Sequence, residues 1–109
     1  MEYYKLSLFP CYLTQGVWGL MERGYSWFVT DALSVVYYKR DVLKEYKRTN
    51  FLIIELKVDK AKKEADLIIK SDDGIKVRTI YKQHYDFTDA TENQKLYLTD
   101  DVLMCWDEY

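Results

Sequence analysis

The stretch FLIIELKVDKAKKEADLIIKSDDGIKVRTIYK, residues 51–82, decides the fold that the sequence predicts. In its first part apolar and charged residues alternate, so that one face collects Leu52, Ile54, Leu56 and Val58. This period of two is typical of a half-buried antiparallel strand. Further on, Asp73-Gly74 marks a tight hairpin turn, because both residue types accept positive φ angles. The stretch therefore predicts strands over 51–59, 65–70 and 75–82.

On either side of this stretch the pattern changes. Downstream, residues 96–98 and 102–106 predict a fourth strand and a short last element. Upstream, apolar residues fall at helical spacing: Thr14 caps a first helix that Gly24 ends, Ser26 caps a second, and a third covers 42–46. An apolar sheet face needs a covering layer. We therefore predict an α+β two-layer sandwich, with N-terminal helices packed on a C-terminal antiparallel meander sheet of three to four strands.

Composition predicts one globular domain over residues 1–109. The chain is 49% hydrophobic, and its single proline and four glycines leave no linker. Cys11 and Cys105 lie far apart without a CxxC pair, so free thiols are the expected state and a disulfide between them stays open. No signal peptide and no membrane-spanning apolar run are apparent. A cytoplasmic protein is the expectation.

The residues that would disclose an enzyme are incomplete. His84 is the single histidine. Asp86 and Asp89 are close to His84 in sequence, but no nucleophile occurs at a recognisable spacing from His84. Zinc sites usually recruit several His or Cys ligands, and nucleotide sites need a glycine-rich loop that is missing here. We therefore predict no cofactor, no metal and no catalysis, and keep a small enzyme centred on His84 as an alternative.

Charge is unevenly distributed along the chain. Residues 84–109 contain one basic residue against seven acidic ones, although the whole chain has a net charge of -2. An acidic segment is attracted to basic surfaces, including grooves that bind nucleic acid. The basic stretch 39–63, with tyrosines among its lysines and arginines, is the opposite feature. It leaves a nucleic-acid-binding module open as another alternative.

Several short pieces, taken in order, resemble a family of small uncharacterised proteins of bacteria, phages and plasmids, a domain of unknown function. The pieces are Leu13-Thr14-Gln15-Gly16-Val17, Trp27 with Asp31-Ala32-Leu33-Ser34, the strand Phe51 to Val58, Asp73-Gly74, Tyr85-Asp86-Phe87 and Glu108-Tyr109. Trp18 and Met104-Cys105-Trp106 depart from the family's pattern. The resemblance implies this order of features and an origin on mobile genetic elements. It implies no activity, because the family has none that can be assigned to this chain.

Together these observations favour a non-enzymatic protein that acts by occupying a partner's surface. The hypothesis that follows is a mobile-element inhibitor of host defence, such as an anti-CRISPR protein, whose partner is a nucleic-acid-binding nuclease. A homodimer also stays open, because a small two-layer fold leaves a sheet face or edge unpaired. The candidate partner-binding residues are the aromatic and acidic side chains Tyr97, Asp100, Asp101, Trp106, Asp107, Glu108 and Tyr109.

Overall fold

The structure is a computed structural model and describes residues 2–109. Its strands are β1 (Tyr3–Lys5), β2 (Tyr12–Thr14), β3 (Leu52–Asp59), β4 (Glu64–Asp72), β5 (Val77–Tyr85), β6 (Gln94–Thr99) and β7 (Val102–Cys105). Its helices are α1 (Gln15–Leu20), α2 (Ser26–Tyr38) and α3 (Arg40–Thr49), with a π-helical segment, Met21–Tyr25, between α1 and α2. A short 3₁₀ turn, Trp106–Glu108, follows β7. None of these helices is long and apolar enough to cross a membrane.

All seven strands of the described chain join one sheet, in the order β1-β2-β7-β6-β3-β4-β5. The β2–β7 pair is parallel, and the other neighbours are antiparallel. The predicted meander of three to four strands is therefore wrong, because the sheet is mixed and seven-stranded. Two strands precede the helices, and the chain returns to pair β7 with the second of them.

The two strands that sequence reasoning missed have only three residues each. Three residues are too few for a period of two to emerge, and Pro10 beside Cys11 obscures the start of β2. Their strand character comes from tertiary pairing: Tyr12 faces Val102, and Leu13 faces Leu103. A partner strand about 90 residues away cannot be inferred from local pattern.

One face of the sheet packs against the helices and forms the core. The alternation predicted for β3 is confirmed there, since Leu52, Ile54 and Leu56 are fully buried. Burying one such side chain contributes roughly 1.5–3 kcal/mol. Neighbouring strands and the helices supply further fully buried side chains, among them Leu13, Val17, Leu20, Phe28, Leu33, Leu67, Ile69, Leu96, Leu98 and Leu103.

Helix boundaries largely follow the signals in the sequence. Thr14 caps α1, and its Oγ1 accepts a hydrogen bond from Val17 N at 3.4 Å. Gly24 interrupts the helical backbone with a φ of 101°, which favours glycine. Ser26 begins α2 but makes no capping hydrogen bond; Asn50 closes α3 in the left-handed conformation. Both cysteines are free thiols, so the disulfide left open above is not formed.

Candidate interaction surface

The second face of the sheet carries side chains that remain partly exposed. Strand alternation directs Ile53 on β3 and Tyr97 on β6 to this face, because their neighbours Leu52, Ile54, Leu96 and Leu98 point into the core. We call this side the open face. A sheet face without a covering layer is unusual for a small domain unless a partner or solvent-compatible side chains occupy it.

Three aromatic rings meet at one corner of the open face. The ring centroids of Phe51 and Tyr97 are 5.3 Å apart, and the ring of Tyr109 lies 5.4 Å from each of them, nearly perpendicular. We call Phe51, Tyr97 and Tyr109 the aromatic corner. Edge-to-face packing of this kind contributes roughly 0.5–1.5 kcal/mol per pair beyond area burial. Tyr109 nevertheless stays 73% exposed, so the corner presents a large aromatic surface to solvent.

A cleft of about 510 Å³ is lined by the aromatic corner together with Asp72 and Asp73. These two aspartates belong to the turn between β4 and β5. One oxygen of Asp72 accepts from Gly74 N at 2.9 Å, and one oxygen of Asp73 accepts from Ile75 N and Lys76 N. These backbone donors hold the pKa of Asp73 below its usual range. The cleft therefore combines aromatic rings with two carboxylates in its lining.

Glu108 holds the last turn in place and so positions Tyr109. Its carboxylate accepts hydrogen bonds from Thr14 Oγ1 at 2.6 Å, Cys105 N at 2.9 Å and Gly16 N at 3.1 Å. Partial burial acts to raise the pKa of Glu108, but these hydrogen bonds outweigh it, and the pKa lies below its ordinary value. The carboxylate thus joins the start of α1 to the end of β7.

A band of lysines lies on the open face next to the aromatic corner. Glu55, on the central strand β3, is only 6% exposed and sits 2.8 Å from Lys70 Nζ and 3.7 Å from Lys57 Nζ. Burial acts to raise the pKa of Glu55, but the lysines lower it below its ordinary value. Lys95 Nζ lies 5.8 Å from the centre of the Tyr97 ring. The open face therefore carries a group of lysines as well as the aromatic corner.

The structure distributes the seven candidate partner-binding residues over several places. Tyr97 and Tyr109 come together in the aromatic corner, and Trp106 is 60% exposed in the turn beside it. Asp107 is exposed in the same turn. The carboxylate of Glu108 is engaged within the chain, as described above.

Asp100 and Asp101 lie at the opposite end of β7 and are also engaged within the chain. Asp100 Oδ1 accepts from Asn50 Nδ2 at 2.7 Å, and Asp101 Oδ1 accepts from the hydroxyls of Tyr37 and Tyr46 at 2.7 and 3.1 Å. Both aspartates have φ above +50° in the turn that joins β6 to β7. Their hydrogen bonds offset the cost of that left-handed backbone.

The tyrosines around Asp101 line a second cleft, of about 470 Å³, on the helical side. Burial raises the pKa of Tyr46 to about 12. Behind the cleft, burial raises the pKa of Cys11 to about 11. A thiol with a raised pKa is a poor nucleophile, which argues against cysteine chemistry at this place. No sequence pattern pointed to this group, because it joins residues of α2, α3 and the β6–β7 turn.

His84 lies on the edge strand β5, within a group of carboxylates. Its Nδ1 is 2.8 Å from Asp66 Oδ1, and its Nε2 is 2.9 Å from Glu64 Oε1 and 3.6 Å from Asp86 Oδ1. Hydrogen bonds to Asp66 and Glu64 raise the pKa of His84 above its ordinary value. Asp66 and Glu64 come from the neighbouring strand, which is why sequence spacing pointed only to Asp86 and Asp89.

Ligand atoms of Glu64, His84 and Asp86 lie within 4.8 Å of one another, close enough to hold a metal ion. Asp89, by contrast, lines a separate cleft of about 540 Å³ with Trp27 and Tyr85. Within residues 2–109, the hydrogen bonds of His84 go to carboxylates and none goes to a hydroxyl or thiol. The arrangement therefore lacks the paired nucleophile that a histidine base activates.

The basic stretch 39–63 does not form one surface. Arg48, on α3, makes a bidentate pair with Glu45 at 2.8 Å, on the helical side of the sheet. Lys57 lies on the open face, and Lys60 and Lys63 lie in the turn between β3 and β4. The charges of the stretch are therefore divided between the helical layer and the sheet.

Pieces of sequence that carried the resemblance are in contact in the fold. Glu108 bonds to Thr14 and Gly16 across the sheet, and the Tyr85 hydroxyl donates to Asp31 Oδ2 at 2.8 Å. The rings of Trp27 and Tyr85 lie 5.1 Å apart, edge to face. Helices on one face of a mixed sheet, and an aromatic corner on the other, define a small α+β domain with an open sheet face.

The chain belongs to the family described as Family of unknown function (DUF6876), which it matches over residues 1–109. The resemblance to a domain of unknown function is thereby confirmed. No curated protein and no solved structure matches the chain.

Proposed function

We propose that this chain is a non-enzymatic protein-binding domain that engages its partner through the open face. The observation that carries this proposal is the aromatic corner, where three rings pack together while Tyr109 remains 73% exposed. Aromatic side chains are enriched in protein interfaces, where they supply much area for few rotatable bonds. Trp106, 60% exposed in the turn that precedes Tyr109, is a further exposed aromatic residue close in sequence.

The acidic groups beside the aromatic corner define the chemistry of the partner. Asp72 and Asp73 border the cleft, and Asp107 is exposed in the turn next to Tyr109. Like charges repel across an interface, so this side of the open face favours a protein with a basic surface. Proteins that bind nucleic acid carry such surfaces. The acidic groups also disfavour direct contact between this corner and a phosphate backbone.

Our narrower proposal is that the partner is a nucleic-acid-binding nuclease of a host defence system and that the chain inhibits it by covering its basic surface. This rests on the acidic and aromatic composition of the corner and on the resemblance to proteins of bacteria, phages and plasmids. A bacterial or mobile-element origin and a cytoplasmic location belong to the same proposal. The alternative functions, nucleic-acid binding through 39–63 and catalysis at His84, find less support in the geometry described above.

The test is capture from a bacterial lysate that depends on the open face. The tagged protein is compared with Tyr109→Ser and with Leu8→Ser, a matched control that removes a side chain of similar exposure, 68%, in the loop between β1 and β2. We expect a stoichiometric protein that is lost with Tyr109→Ser, retained with Leu8→Ser and cross-linked to the open face. A partner retained by both variants, or salt-sensitive nucleic acid without a protein, would overturn the proposal.

A further inference from the structure

The cleft beside the aromatic corner contains the two kinds of group that bind a cationic side chain, aromatic rings and carboxylates. Its lining includes Phe51, Tyr97 and Tyr109 together with the carboxylates Asp72 and Asp73. Aromatic faces attract cations through their quadrupole, and carboxylates attract them through charge. A volume of about 510 Å³ is within the range of specific ligand pockets.

The chain itself shows that this corner accepts a cation. Lys95 Nζ lies 5.8 Å from the centre of the Tyr97 ring, within the range of a cation–π contact. Lys95 on β6 pairs in register with Glu55 on β3. Asp72, by contrast, is next to Phe51, because its backbone N–H donates to the Phe51 carbonyl oxygen. The internal lysine therefore lies on the side of Tyr97 away from the two aspartates. The acidic side of the corner remains for a partner's cation.

The two aspartates of the cleft differ in their partners: within residues 2–109 Asp73 makes an ion pair and Asp72 makes none. Backbone donors engage Oδ1 of Asp72 and of Asp73. Asp73 Oδ2 lies 3.9 Å from Arg48 Nη2, although Arg48 also makes a bidentate pair with Glu45, and Arg78 is a further cation near Asp73. Asp73 is therefore already paired within the chain, and Asp72 is the carboxylate that remains for a partner's cation.

We infer that this cleft binds an arginine side chain of the partner protein, an inference that rests on the proposed protein-binding function. Arginine fits better than lysine because its guanidinium is planar: it stacks on an aromatic ring while its N–H groups bond to a carboxylate. The compact ammonium group of lysine bonds to a carboxylate but has no planar surface to stack on a ring. A partner with a basic surface supplies such a side chain at its centre, where hot-spot arginines are common.

The experiment is an NMR titration of the full ¹⁵N-labelled chain with the peptide acetyl-Gly-Arg-Gly-amide. Matched peptides contain citrulline, which is neutral and nearly isosteric, or lysine. We expect shifts at the aromatic corner and the β4–β5 turn, with citrulline binding at least about tenfold more weakly and lysine intermediate. Equal affinity for arginine and citrulline, or shifts located elsewhere, would overturn the inference.

Variants then assign the contacts. Asp72→Asn keeps the oxygen that accepts from Gly74 N but removes the charge, and Tyr109→Leu removes the aromatic face; each should weaken the arginine peptide roughly fivefold or more. Asp89→Asn, which changes an exposed acid in the separate cleft beside Trp27 and Tyr85, should leave affinity unchanged. If the peptide fails to bind while capture of a protein still depends on Tyr109, the arginine site is wrong and the protein-binding function stands. If the arginine peptide binds but capture of a protein does not depend on Tyr109, the cleft is an arginine site and the proposed protein-binding function is wrong.

Discussion

Replacing Gly16 with alanine is expected to destabilise the protein, although alanine is the better helix former. In an exposed helix the change alone stabilises by about 0.5–1 kcal/mol. Here a Cβ at residue 16 would lie 2.6 Å from Glu108 Cδ and 2.7 Å from its Oε2, and closer still to Oε1. These distances are far below van der Waals contact. The Glu108 side chain therefore has to withdraw.

The magnitude follows from the hydrogen bonds that Glu108 gives up. Its carboxylate accepts from Thr14, Gly16 and Cys105 at 2.6–3.1 Å. Because Glu108 is partly exposed, water compensates much of each bond, and the set contributes about 2–3 kcal/mol. Subtracting the gain in helix propensity leaves a net loss of about 1–2 kcal/mol. For a chain of this size the melting temperature should fall by roughly 4–10 °C.

The assay is urea and thermal unfolding, with Gly19→Ala as the matched control in the same helix. A Cβ at residue 19 would meet its nearest atom, Arg23 Nη1, at 3.8 Å, so that variant should gain about 0.5–1 kcal/mol. In a Glu108→Ala background, Gly16→Ala should also become stabilising. Stabilisation by Gly16→Ala in the unaltered protein, or the same destabilisation in the Glu108→Ala background, would refute the reasoning.

Three further predictions concern other contacts. Tyr85→Phe removes the hydroxyl that donates to Asp31, and we expect a loss of about 1 kcal/mol in chemical denaturation; an unchanged midpoint would contradict this role. Lys63, whose φ is 55°, should gain stability when replaced by glycine, by about 0.5 kcal/mol, and a loss would show that its backbone is not strained. The raised pKa of His84 stabilises the fold below its ordinary value of 6.5, and this contribution disappears as pH rises through the raised value. Denaturation across that window should show the pH dependence in the unaltered protein and not in His84→Gln.

Long alternating segments made much of the sheet predictable. Strands β3 to β6 and the short element β7 lie along the chain where the sequence predicted them, because the longer strands show their period and a turn signal separates β4 from β5. Their order in the sheet was wrong, since β6 pairs with β3 and does not continue a meander from β5. The mixed topology escaped prediction for a physical reason. A parallel pair between β2 and β7 is decided by core packing at both ends of the chain, and three-residue strands carry almost no local signal of it.

The candidate surface was predictable only in part. Tyr97 and Tyr109 stood out as aromatic residues near the acidic segment, and their contact depends on a turn that only the fold reveals. Phe51, Asp72 and Asp73 were not among the predicted partner-binding residues. They come close to Tyr97 through the register of the strands, which the sequence alone does not show. The negative charge of Asp101 and Glu108 led us to predict that they contact a partner. In the structure each carboxylate accepts hydrogen bonds within the chain. The partner-binding role of the set stays a prediction.

Closure of the sheet by β7 has a consequence for how the chain is made. The bond between Thr14 and Glu108 spans 94 residues, and β2 finds its parallel neighbour only when β7 is present. On a ribosome adding roughly 5–20 residues per second, β1 and β2 wait several seconds for that neighbour. The β3–β5 meander, built from local pairings, can form during this interval. Synthesis order therefore makes β7 the closing element of the sheet: in the nascent domain, β2 stays without its parallel neighbour until residues 102–105 have been synthesised.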